Sequence, residues 1–248
     1  MGTKRFKAEA ALVTGAAQRL GASIARALAL QGIHVVIHYQ RSKTAALDLQ
    51  GEIAASGGRA SILQGDLEKQ ESLEHLVGSA IDLAGPLDIL INNASIFEEN
   101  SFSEMTLESL QQNMTINTYA PLVLSRHFAA QGRHGNIVNM VDTMVMDYDR
   151  KHVPYHLSKR ALHALTRIMA LEFAPAVRVN AVAPGLVLPP KGENLVYLER
   201  LSSSNPLLCH GGAEDVVEAV LYLLRADFVT GQTVYVDGGR HMRGSMYE

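Results

Sequence analysis

The chain has 248 residues, 47% hydrophobic and 19% charged, the balance of a soluble globular protein with enough chain to bury a substantial core as one domain. A net charge of −3 gives no reason to expect a nucleic acid or an anionic membrane as partner. Cys209 stands alone, so no internal disulfide is expected, and no His/Cys set has the spacing of a metal site.

The basic start Met1–Lys7 is followed by an apolar stretch that breaks at Thr14-Gly15, too short for a signal peptide. No run approaches the roughly 20 apolar residues of a membrane span. A mature N-terminus and a cytoplasmic location are therefore expected. Short β-branched runs then alternate with amphipathic ones. Strands are predicted at Ala11–Val13, Val35–His38, Ala60–Gln64, Leu87–Asn92, Ile137–Val141, Val177–Ala181 and Thr233–Val236. Helices are predicted at Leu20–Leu30, Thr44–Ser56, Glu71–Leu83, Leu107–Ala130, Val153–Phe173 and Ala213–Leu224. This alternation implies α/β architecture: a doubly wound Rossmann fold, a seven-stranded parallel sheet with helices on both faces, as a single domain over 1–248. Only Pro184–Gly212, rich in Pro, Gly and Ser, is irregular, and reads as a substrate loop or as plain surface.

The first predicted strand runs into Thr14-Gly-Ala-Ala-Gln-Arg-Leu-Gly21. Gly15 permits a tight turn and Gly21 close helix–strand packing, so a helix N-terminus faces a pyrophosphate. Arg19 stands where such turns carry another Gly; it is either an exposed helix residue or a guanidinium beside phosphate oxygens. The second strand ends in His38-Tyr-Gln-Arg-Ser42, with no acid to accept a ribose hydroxyl. Arg41 and Ser42 suit a 2′-phosphate instead, which favours NADPH over NADH.

Tyr155 and Lys159 lie four residues apart on a predicted helix and share a face. An ammonium beside a phenol favours the phenolate and draws its pKa down from about 10, into range for proton exchange with a carbonyl, imine or alcohol.

The pair resembles the Tyr-x-x-x-Lys of the short-chain dehydrogenase/reductase family, and the resemblance runs from Leu12 to Gly239 in family order. It comprises the Gly turn, Asp66, Asn92-Asn93-Ala94, Asn117, Asp142, Tyr155, Lys159, Asn180, Pro184-Gly185 and Asp237-Gly238-Gly239. It implies that Tyr155 protonates the reduced atom, that Lys159 tunes it and holds the nicotinamide ribose, and that Asn117 supports a water and the Lys. It also implies that Asp66 bonds the adenine, that Pro184-Gly185 borders the nicotinamide, and that Leu20, Tyr39, Gln40, Leu67, Asn93 and Ala94 complete the cofactor site.

Thirteen residues before the Tyr the family has Ser, and this chain has Asp142. A Ser hydroxyl donates to a substrate carbonyl; a carboxylate only accepts, and opposes a developing alkoxide. It suits the N–H edge of an amino-pyrimidinone ring, or relays a proton through Tyr155; the competing reading is a dead site, or an Asp turned to solvent. The runs containing Arg19, His38–Ser42, Asn93-Ala-Ser-Ile-Phe97 and Asn139-Met-Val-Asp142 resemble pteridine reductases in particular. That resemblance implies pterin contacts from Arg19, Ser95 and Phe97, with Phe97 stacking the ring against the nicotinamide. Lys151-His-Val-Pro-Tyr155 and Asp237-Gly-Gly-Arg-His-Met-Arg243 resemble the bacterial dihydromonapterin/dihydrofolate reductase branch. Many relatives are homotetramers, which would let Arg240 or Arg243 reach a neighbouring pocket. The expected activity is NADPH-dependent reduction of a C=N bond in a dihydropterin or dihydrofolate. The alternatives are a carbonyl or 3-ketoacyl reductase of the same family, and a non-catalytic NADPH-binding regulator.

Overall fold

The computed structural model describes residues 8–147, 150–190 and 192–242. Seven strands form one sheet: β1 Ala10–Val13, β2 His34–Tyr39, β3 Arg59–Gln64, β4 Ile89–Asn92, β5 Gly135–Met140, β6 Val177–Pro184 and β7 Thr233–Val236. Their order is β3-β2-β1-β4-β5-β6-β7 and every pairing is parallel. All strand carboxyl ends therefore reach one edge. Strand order reverses between β1 and β4, and a crevice opens there.

The five inner strands are buried because both sheet faces are covered, which is why they read as continuous apolar runs, while the edge strands β3 and β7 are only partly covered. On one face α1 (Arg19–Leu30), α2 (Lys43–Ala55) and α8 (Ala213–Arg225) bring Ile24, Leu28, Leu49, Ile53, Val220 and Leu223 to the core. On the other, α3 (Gln70–Ala84), α5 (Ala120–Ala129) and α6 (Val153–Glu172) supply Leu73, Leu76, Leu124, Phe128 and Met169. Each such fully buried Leu, Ile or Phe contributes about 1.5–3 kcal/mol. Among the described residues no helix is long and apolar enough to cross a membrane.

Two predicted elements differ from the structure. The single helix expected over Leu107–Ala130 is α4 (Leu107–Met114), then a π-turn at Thr115–Tyr119, then α5. Pro121 has no N–H for the carbonyl of Asn117 four residues back, so the ladder widens and Ala120 N–H bonds Thr115 O instead. The stretch 184–212 carries a short helix, α7 (Leu195–Leu201), capped by the Asn194 side chain on Val196 N–H.

Candidate active site

A first group of the residues read from the sequence lines the crevice between β1 and β4. A cleft of about 380 Å³ is lined by the Gly15–Gly21 turn, Gln40, Asp66-Leu67 and Asn93-Ala94-Ser95. A Cβ on Gly15, at φ +59°, would lie 2.9 Å from Ala94 Cα; on Gly21 it would lie 2.5 Å from both Asn93 Nδ2 and Gly15 O. The turn accepts no larger residue at either place. Arg19 keeps the left-handed backbone (φ +56°) of the glycine it replaces, at a cost of about 1 kcal/mol. Its guanidinium donates to Pro189 O at 2.6 Å, tying the turn to the segment after β6.

Several residues that line this cleft also build it. Asn93 Nδ2 donates to the carbonyls of Thr14 and Gly15, and Thr14 Oγ1 accepts from the N–H groups of Asn93 and Ala94. Gln40 donates to Asp66 Oδ1 at 2.8 Å, joining the ends of β2 and β3. Tyr39 is buried in the core. Arg41 is exposed and Ser42 half-buried at the N-terminus of α2, and the Ser42 side chain makes no capping bond there. A hydroxyl, a guanidinium and a helix N-terminus with no acid among them fit a phosphate dianion.

Sequence reasoning missed His38. Its Nδ1 accepts from Gly15 N–H at 3.1 Å and its Nε2 faces Gly65 O at 3.3 Å, which puts the ring proton on Nε2. Burial pushes its pKa down to about 4, so this neutral ring sets the glycine turn. Only a polar residue at a core position of β2 hinted at it.

The second group lies at the ends of β4 and β5 and the start of α6. Asp142 caps a 3-10 turn, Thr143–Met146, its Oδ1 accepting from Met144 N–H at 2.7 Å. Its Oδ2 accepts from the Tyr155 O–H at 2.9 Å. Both oxygens act as acceptors, and the side chain does not turn to solvent. Lys159 Nζ donates to Met140 O at 2.7 Å and sits 5.7 Å from the Tyr155 ring centroid.

This arrangement reverses the expected direction for Tyr155. Burial raises its pKa well above the ordinary phenol value, and the charge and hydrogen bond of Asp142 raise it further. Lys159, drawn down by burial to about 8 against the pull of Asp142, does not offset them. Tyr155 is a protonated donor, not a poised phenolate.

Asn117, in the π-turn, is fully buried. Its Oδ1 accepts from Ser95 Oγ and Ile96 N–H, and its Nδ2 donates to Ile96 O and Ser158 Oγ. Ser158 in turn donates to Tyr155 O. The side chain of Asn117 thus positions the Ser95–Ile96 segment against α6. Phe97 is 49% exposed and meets Tyr155 edge-on, ring centroids 4.7 Å apart. Its partner in stacking is His152, at 4.0 Å and 14°.

Gly185, after Pro184, packs on Asp237, where a Cβ would come within 2.6 Å of Asp237 Cβ. Asp237 accepts from Thr143 Oγ1, from His241 N–H and Nδ1, and from Gly239 N–H. Burial alone would raise its pKa, but these donors outweigh it and hold the carboxyl below its usual range. Arg240 bonds Ser204 Oγ of its own chain at 2.7 Å; Arg243 lies outside the described residues.

Comparison with known proteins adds the following. A family model described as "Enoyl-(Acyl carrier protein) reductase" matches residues 15–241. The granaticin polyketide synthase putative ketoacyl reductase 2 of Streptomyces violaceoruber is 33% identical, over 98% of this chain and 100% of its own. A 3-oxoacyl-[acyl-carrier-protein] reductase of Synechocystis is 32% identical, over 95% of this chain and 98% of its own. Two solved structures of FolM alternative dihydrofolate reductase 1, each in complex with NADP, superpose closely. That from Brucella canis has TM-score 0.89 and 33% identity, covering 96% of each chain. That from Brucella suis has TM-score 0.91 and 33% identity, covering 96% of this chain and 97% of its own.

Proposed function

The chain belongs to the short-chain dehydrogenase/reductase family, and we propose that it is an NADPH-dependent reductase of a C=N bond in a dihydropterin or dihydrofolate. The observation that carries this reading is the Asp142–Tyr155 hydrogen bond at 2.9 Å. Where a ketone reductase needs a donor to the substrate oxygen, this site has an acceptor already engaged with the acid.

NADPH supplies the hydride when bound. The Gly15–Gly21 turn and the first turn of α1 would hold its pyrophosphate, and Arg41 and Ser42 its 2′-phosphate. That the similar FolM structures are NADP complexes supports this choice. Arg41→Ala is expected to raise the KM for NADPH about 10- to 100-fold, the worth of one charge-assisted bond, and to leave that for NADH unchanged. An unaltered NADPH KM in steady-state assays would remove Arg41 from the site.

Reduction of a C=N bond places a proton on nitrogen. At rest the Tyr155 O–H points to Asp142. A proton taken up by half-buried Asp142 reverses that bond. Tyr155 then turns its own proton to the substrate nitrogen and receives the one from Asp142 as it does so. No phenolate accumulates beside a carboxylate, which the raised pKa of Tyr155 would make costly. Lys159 keeps a positive charge at the floor of the site. Phe97 offers a flat apolar surface next to Tyr155. A homotetramer forms part of this reading, and exposed Leu157, Ile168 and Leu171 on α6 are apolar surface that assembly would cover.

The 32–33% identical ketoacyl reductases favour a second reading, reduction of a 3-ketoacyl thioester. The deciding experiment follows NADPH oxidation with dihydromonapterin, dihydrobiopterin, dihydrofolate and an acetoacetyl thioester in parallel. Turnover of a pterin or folate above that of the thioester is expected. Faster thioester reduction would establish the second reading. Tight NADPH binding with no turnover of any substrate would leave a regulatory binder.

A further inference from the structure

The imidazole of His152 lies flat on Phe97, centroids 4.0 Å apart and planes 14° from parallel. Phe97 also meets Tyr155 edge-on at 4.7 Å, while His156 meets Tyr155 edge-on at 5.0 Å and His152 at 6.4 Å. The four rings, Tyr155 among them, close on one another.

Backbone bonds fix the stack. Asn100 N–H donates to Lys151 O at 2.6 Å and Val153 N–H to Asn100 O at 3.0 Å, a two-bond parallel bridge between the connection after β4 and the entry to α6. His152 is the residue before α6, with φ −131° and ψ 50°, and its carbonyl accepts from His156 N–H at 3.0 Å. The imidazole is therefore placed by the helix that carries Tyr155 and Lys159. Phe97 comes from a different part of the chain and is 49% exposed even with His152 on one face.

We propose that His152 is a specificity-determining positioning residue: a backing ring that holds Phe97 in the plane a flat heteroaromatic substrate needs beside Tyr155. The occupied site then has three layers, imidazole, phenyl and substrate ring, with His152 touching only the middle one. The proposal rests on the pterin reading above. The backing ring is anchored to the start of α6, so the plane of Phe97 is referred to the helix bearing Tyr155. Offset or parallel ring contact prefers flat partners, and an aliphatic side chain of similar bulk does not reproduce it.

The test compares His152→Ala, His152→Leu and His152→Phe, each checked by circular dichroism for native fold, with dihydrobiopterin and NADPH as substrates. Alanine and leucine are expected to raise the dihydrobiopterin KM about fivefold, the worth of one ring–ring contact, with kcat within about twofold. Phenylalanine is expected to restore the wild-type KM, and the KM for NADPH should not move in any variant. Should the alanine variant fail to fold, the leucine–phenylalanine comparison decides alone, since both fill the space. Leucine matching phenylalanine, or all three variants matching wild type while wild type reduces dihydrobiopterin, would overturn the role of His152 and leave the pterin reading intact. A wild-type protein that reduces only the thioester would overturn both.

Discussion

Tyr155→Phe is expected to lower kcat for dihydropterin reduction by about 10²- to 10⁴-fold, the range of one positioned proton donor, with the KM for NADPH little changed. The phenyl ring keeps the contacts with Phe97 and His156, so the substitution removes one hydroxyl and little packing. What is lost is the donor that Tyr155 presents to Asp142 Oδ2. The same chemistry sets the sign of the wild-type pH profile. Tyr155, far above its ordinary pKa, stays protonated throughout the neutral range. Lys159 is protonated below about 8 and neutral above it. The part of kcat/KM that depends on the Lys159 charge should therefore hold below about pH 8 and fall as pH rises through it. A Tyr155→Phe enzyme within threefold of wild type, measured by single-turnover NADPH oxidation, would remove the Tyr from proton delivery.

Asp142→Ser restores the residue type usual in the family, and yet is expected to cost about 10²-fold or more in dihydropterin turnover. Serine is a good N-cap, so the Thr143–Met146 turn keeps its bond to Met144 N–H and the fold is not at issue. Two things change at the site. The carboxyl that can carry a proton to Tyr155 is gone, and so is the negative charge that helps hold the phenol's pKa up. The variant's Tyr155 should ionise at lower pH than wild type, visible as a shift in ultraviolet difference titration. A hydroxyl at 142 also gains the ability to donate to a carbonyl oxygen, so activity on the acetoacetyl thioester should rise relative to that on pterins. Pterin turnover equal to or above wild type would show that Asp142 has no part in the proton path.

Much of this site was legible because its parts are contiguous runs. The glycine turn, His38–Ser42, Asn93–Phe97 and Tyr155–Lys159 each take their geometry from local backbone rules, and the parallel sheet brings their ends together. Bonds between distant parts were not legible. Nothing in the spacing ties Arg19 to Pro189, Gly15 to His38, or Phe97 to His152. The acidity of Tyr155 failed for the same reason. Helical spacing revealed its neighbour Lys159, but burial and a carboxylate from the end of β5 dominate. The π-turn at Thr115–Tyr119 was hidden because apolar spacing continues through it; Pro121 was the readable signal. Helix α7 was obscured by the Pro, Gly and Ser that surround its seven residues.

The Thr143–Asp237–His241 joint has a practical consequence for anyone handling this protein. The last described turn of the chain is bonded to the residue after Asp142, so mechanical load at the carboxyl end reaches the acid's own support within two bonds. At the opposite end, the backbone of Glu9 and Ala10 is clamped by the Asp88 carboxylate, at the edge of the sheet away from the crevice. Affinity handles, surface tethers and fusion partners therefore belong on the amino side.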